Sequence, residues 1–79
     1  MKELLEFLVK SIVDKPEEVA VSEIADEEIV TLKIKAAKED IGKVIGRGGK
    51  VIKSLRNLVH ILAVKEGKKV SVEILEENP

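Results

Sequence analysis

The chain has 79 residues, 14 Lys or Arg against 15 Asp or Glu, a single aromatic side chain (Phe7) and no cysteine. That length makes one domain near the lower limit for an unstapled core, and the missing thiols exclude a disulfide framework or a Cys-containing zinc site. A charged N-terminus and the absence of any long apolar run exclude a signal-peptide core and a membrane span, so the expectation is a soluble cytoplasmic domain with no membrane partner. The core must come from Val, Ile and Leu, which is feasible at 44% hydrophobic residues. The net charge of −1 hides an asymmetry. Residues 1–32 carry three basic and nine acidic groups, a balance of −6. Residues 33–56 carry eight basic groups (Lys33, Lys35, Lys38, Lys43, Arg47, Lys50, Lys53, Arg56) against two acidic ones, a balance of +6. A local basic block inside a neutral chain points to an anionic partner.

In chain order, Lys2 to about Asp14 has the spacing of an amphipathic helix. Leu4, Leu5, Leu8 and Ile12 share a face that Phe7 and Val9 widen, and Pro16 disfavours helix in the residue before it. Val19–Ala25 reads as a short strand and Asp26-Glu27-Glu28 as a solvated turn. Ile29–Ala36 alternates Val30, Leu32, Ile34 and Ala36 with Thr31, Lys33 and Lys35, the period of a half-buried strand. The short turn makes these two strands an antiparallel hairpin. Asp40 is placed to cap a short helix, Ile41–Ile45, that ends at Gly46. A longer helix runs from Lys50 to about Lys65, with Val51, Ile52, Leu55, Leu58, Val59 and Leu62 on its apolar face. Gly67 ends it. Lys69–Leu75 is a last strand with Val70, Val72 and Ile74 inward, and Glu76–Pro79 is a polar tail. The order α-β-β-α-α-β predicts an α+β layer, a three-stranded mixed or antiparallel sheet covered on one face by helices.

The stretch Val44-Ile45-Gly46-Arg47-Gly48-Gly49-Lys50-Val51-Ile52 joins the two later helices. Glycines let a phosphate chain approach the backbone, and the helix that follows presents its positive end to an anion. Arg47 and Lys50 add charge at the loop, Lys43 lies one turn before it, and Lys53 one turn after. Ile41, Val44, Ile45 and Ile52, with the edge of the last strand, form the groove expected beside it. A Walker phosphate loop would need glycine at position 44 and Ser or Thr at 51, where the chain has Val44 and Val51. A dinucleotide fingerprint fails at Val51 too. His60 has no cysteine or second histidine to share a metal, and Ser11, Ser22, Ser54 and Ser71 show no catalytic arrangement. Neither a cofactor site nor an enzyme is expected. Gly42, inside the short helix, reads as a packing position.

Ile45-Gly46-Arg47-Gly48-Gly49-Lys50-Val51-Ile52 resembles the Ile-Gly-x-x-Gly-x-x-Ile signature of KH domains, between two helices as the signature requires. One strand after the second helix, and an extra helix and strand at the N-terminus, resemble the type II or bacterial arrangement. The size, and the phrase Ile12-Val13-Asp14-Lys15-Pro16-Glu17-Glu18-Val19, are similar to the small single-KH proteins of the KhpA family. The resemblance implies a single KH domain over 1–79, with its core at about 19–76 and an N-terminal helix at about 2–14. It implies single-stranded RNA as partner, about four nucleotides per domain, and a role as RNA chaperone or post-transcriptional regulator. The motif and its flanks then make Lys43, Val44, Ile45, Gly46, Arg47, Gly48, Gly49, Lys50, Ile52 and Lys53 the expected RNA-binding residues. With no aromatic side chain nearby, base stacking on an aromatic platform is excluded, so affinity should be modest and sequence preference loose.

Helical spacing sets Ile61 and Val64 opposite the core, among Asn57, Lys53 and Lys50, and beside His60. Asn57, His60, Ile61 and Val64 are therefore an expected partner surface, suited to an isologous dimer. The resemblance implies a homodimer, or a heterodimer with a larger KhpB-like KH protein. The alternative function is an interaction scaffold whose glycine loop is vestigial. A double-stranded DNA binder is disfavoured, since the short helix shows no face for reading the major groove.

Overall fold

A computed structural model describes residues 1–75. The polar tail expected from Glu76, and the end of the core range at 76, lie outside the described residues. Helix α1 (Lys2–Lys10) is followed by a 3-10 turn at Pro16–Glu18 and strands β1 (Ala20–Ala25) and β2 (Ile29–Lys35). A second 3-10 turn (Lys38–Asp40) leads into α2 (Ile41–Ile45), and a third (Arg47–Gly49) into α3 (Lys50–Lys65). Strand β3 (Lys69–Leu75) closes the order.

The sheet is mixed, in the order β1-β2-β3. Strand β1 pairs antiparallel with β2 (Val21 opposite Ile34, Ala25 opposite Val30) through a tight turn. There Asp26 accepts hydrogen bonds from the amides of Glu28 (2.8 Å) and Ile29 (2.7 Å). Strand β3 pairs parallel with β2, in register at Val30–Val70, Leu32–Val72 and Ile34–Ile74. Parallel neighbours need a crossover, and α2 and α3 supply it. That connection carries the glycine loop.

The alternation expected in β2 is the burial observed: Val30, Leu32 and Ile34 are sealed against the helices, with Leu5, Val9, Val21, Val44, Ile52, Leu55, Val59 and Val72. Lys33 and Lys35 take the open face, where Lys33 stands beside Glu73 of β3. Two of the three expected inward positions in β3 are weaker, since Val72 is buried but Val70 and Ile74 are only half-buried.

Three local expectations are corrected. Helix α1 stops at Lys10, four residues early. Its buried stripe is Leu5 and Val9, whereas Leu4, Phe7 and Ile12 are exposed. Its end is formed by Ser11, whose Oγ donates to the Phe7 carbonyl at 2.8 Å. The second correction is linked to it. Asp40 precedes α2 but makes no side-chain cap there. Its buried carboxylate instead accepts the backbone N–H groups of Asp14 (3.3 Å) and Lys15 (2.9 Å), holding that segment in a non-helical path. Third, α3 is rotated about its axis relative to the expectation: Ile52, Leu55, Val59 and Ala63 face the core, and Leu58 is 47% exposed.

Candidate nucleic-acid interface

The loop between α2 and α3 is shaped by backbone geometry. Gly46, Gly48 and Gly49 all have positive φ (77°, 65° and 76°). Such geometry is costly for a residue with a Cβ. At Gly46 a second constraint acts. A Cβ there would lie 2.8 Å from Val51 Cβ and 2.9 Å from the Val51 backbone nitrogen, inside the first turn of α3. Gly46 is the hinge at which α2 folds back on α3. Gly48 is the opposite case: a Cβ there would meet nothing within 4 Å, so the apex of the loop is open to an approaching chain.

Helix α3 starts at this apex with no side-chain cap, Gly49 being its N-cap residue. The preceding 3-10 turn takes the Gly49 and Lys50 amides on the Gly46 and Arg47 carbonyls, and the sixteen aligned peptide dipoles of α3 make this end positive. Arg47 and Lys50 flank the apex and Lys53 follows one turn later, all exposed. None of the three makes an ion pair among the described residues. Lys43, on α2, is exposed too, but its ammonium is engaged by the Asp14 carboxylate. That contact holds the Lys43 pKa above its ordinary value.

The remaining expected contacts divide. Val44 is completely buried and Ile52 nearly so, while Ile41 and Ile45 are half-buried. The Val44 and Ile52 side chains therefore belong to the core that supports the loop and cannot line an open groove. The basic block also divides, because Lys33 and Lys35 lie on the sheet face away from the helices. Lys43, Arg47, Lys50 and Lys53 remain in sequence around the loop.

The open groove lies farther along α3. Arg56, Asn57 and His60 face Val70, Ser71, Val72 and Glu73 of the edge strand across about 500 Å³. Arg56 donates from Nη2 to the Val72 carbonyl at 3.2 Å. The four residues expected as a partner surface are thus split. Asn57 and His60 line this groove, while Ile61 and Val64, 55% and 59% exposed, stand outside its lining. Sequence reasoning missed Arg56 as a groove residue, because the α3–β3 packing that creates the groove leaves no local signal. It also missed Asp14 and Asp40, whose contacts span 25 to 29 positions.

The KhpA/KhpB KH-domain family model matches residues 2–74. A protein named RNA-binding protein KhpA from Clostridium perfringens is 52% identical over 75 residues, covering 95% of this chain and all of that one. The protein of the same name from Clostridium acetobutylicum is 51% identical over the same length. The one from Chlamydia trachomatis is 46% identical over 77 residues, covering 98% of this chain and 99% of its own. No solved structure matches the chain significantly. With helix, glycine loop and mixed sheet in the expected order and likeness along nearly its whole length, the chain belongs to the KhpA/KhpB KH-domain family.

Proposed function

We propose that this protein binds single-stranded RNA by its sugar–phosphate backbone, at the loop Gly46–Gly49 and the first turn of α3. The observation that carries this reading is the conjunction at one point of an open glycine apex, the positive end of α3 and the exposed cations Arg47, Lys50 and Lys53. Lys43 and Ile45 complete the contact set, with Val44 and Ile52 supporting it from the core. The name of the Clostridium and Chlamydia relatives agrees. The protein acts by occupancy, as an RNA chaperone or post-transcriptional regulator in the cytoplasm, and residues 1–79 work as a single KH unit. No described helix is long and apolar enough to cross a membrane.

The test is titration of a labelled single-stranded oligoribonucleotide. For about three phosphates engaged on a single strand, log K against log salt has a slope near roughly −2. Replacing Arg47 and Gly48 together by Asp abolishes binding and costs the fold only the strain of a side chain at one positive φ, because Arg47 is exposed and a Cβ at Gly48 meets no neighbour. Unchanged binding by that double variant refutes the loop assignment.

A second reading concerns assembly. Ile61 and Val64 are exposed one turn apart on α3, which supports pairing with a second copy or with a larger KhpB-like KH protein. Ile61→Asp dissociates such a pair in sedimentation and leaves RNA contact by the monomer in place. An unchanged sedimentation profile refutes the pairing surface.

A further inference from the structure

The only charged side chain buried among the described residues is Asp40, and it does not face the RNA loop. Its carboxylate receives the amides of Asp14 and Lys15, which pins the segment after α1 against the start of α2. Lys15 reinforces this contact with an ion pair to Glu39 at 2.6 Å. Pinned there, Asp14 presents its own carboxylate to Lys43, a cation of the five-residue helix that ends at Gly46. Two hydrogen bonds from backbone amides and an ion pair thus direct one acidic side chain at one cation beside the loop.

From this we infer that Asp14 is an internal competitor of the RNA phosphate. Its carboxylate occupies Lys43 in the free protein and must release it before that lysine can join the phosphate track. The inference rests on the RNA-binding reading above and deepens it, for it names a residue that lowers affinity instead of raising it. A carboxylate and a phosphodiester oxygen offer a lysine the same interaction, a charge-assisted N–H···O bond. Both cannot take the ammonium in the same geometry. Asp14 is 77% exposed and Lys43 45% exposed, so the pair is solvated and exchangeable. A contact of that kind is weak enough to be displaced and strong enough to register in an affinity. Lys43 is therefore a conditional member of the site, whereas Arg47, Lys50 and Lys53 have no such partner among the described residues.

The experiment compares five variants with the parent in salt-dependent titrations of the same labelled single-stranded oligoribonucleotide. Asp14→Asn removes the competing charge at an exposed position. It tightens binding by about two- to fivefold at low salt, the range an exposed ion pair supports. It also steepens the salt slope by about 0.7, one further phosphate on a single strand. In the Lys43→Gln background the same substitution has no effect, because the cation it would release is gone. Glu27→Gln removes an equal charge at the hairpin turn, the length of a seven-residue strand from α2 and roughly 20 Å away, and leaves binding unchanged. The inference is overturned if Asp14→Asn matches the parent in affinity and slope. It is equally overturned if the gain persists without Lys43, or if Glu27→Gln reproduces it. A parent that binds, and stops binding when Arg47 and Gly48 become Asp, keeps the functional reading whatever Asp14→Asn does. A parent that does not bind RNA overturns the functional reading itself, and the competition with it.

Discussion

Gly46→Ala against Gly48→Ala separates two reasons for glycine in the loop. Both residues have positive φ, but Gly48 lies in the left-handed region (φ 65°, ψ 18°), which costs a Cβ-bearing residue about 1–2 kcal/mol, and Gly46 in the extended positive-φ region (φ 77°, ψ 169°), which costs about 1–3 kcal/mol. Both substitutions recover about 0.4–1 kcal/mol, because alanine has fewer unfolded conformations to lose. At Gly48 nothing else changes, since the new methyl enters open space. The net loss is about 0–1.6 kcal/mol. At Gly46 the methyl meets the backbone nitrogen of Val51 at 2.9 Å, and a helix backbone cannot rotate away as a side chain can. Overpacking of this kind adds about 1–3 kcal/mol, for a total of about 1–6 kcal/mol. Urea denaturation of both variants measures the difference. Thermal midpoints follow, Gly46→Ala falling below Gly48→Ala by about 5 °C or more for a chain of this size. Equal destabilisation would refute the claim that Gly46 is a packing hinge.

Other expectations follow from the same geometry. The amides of Ile29 and Glu28 hold the Asp26 carboxyl below the ordinary aspartate range. A depressed folded-state pKa adds stability that is fully present above the unfolded value and is lost as pH falls through the folded one. In an NMR titration the Glu28 and Ile29 amides therefore shift below the normal aspartate midpoint, and Asp26→Asn abolishes that transition. Asp40→Ala strands the amides of Asp14 and Lys15 and costs about 1–3 kcal/mol in denaturant unfolding, with Asp40→Asn milder because one oxygen acceptor remains. Leu32→Ala, in the sealed centre of β2, costs about 2–5 kcal/mol, whereas Ile61→Ala stays within about 0.5 kcal/mol because its side chain is half in solvent.

Features encoded by near neighbours were legible in the sequence. The alternation of Val30, Leu32 and Ile34 against Thr31, Lys33 and Lys35 marks both faces of β2. Gly46 and Gly49 mark the loop, and cation spacing marks its surroundings. Features set by tertiary packing were not. The rotation of α3 hides in Ala63, a small side chain that contributes little to an apolar periodicity yet is fully buried. The early end of α1 hides in Asp40, 25 positions from the Lys15 amide it binds. Val44 and Ile52 belong to the loop motif in sequence but to the core in space, because residues on a helix beside a glycine turn still obey the helix's own inward face. Lys33 and Lys35 counted toward one basic block, yet strand alternation sends them to the opposite surface.

The contact between Arg56 and the Val72 carbonyl also bears on how these molecules avoid one another. Strand β3 is one of the two ends of its sheet, and an uncovered end is a template on which a stray chain can add itself and start aggregation. A guanidinium laid over that end occupies one of the acceptors an intruding strand would use, and it repels any copy bearing the same cation. Unlike a proline or a bulge, this guard can swing aside.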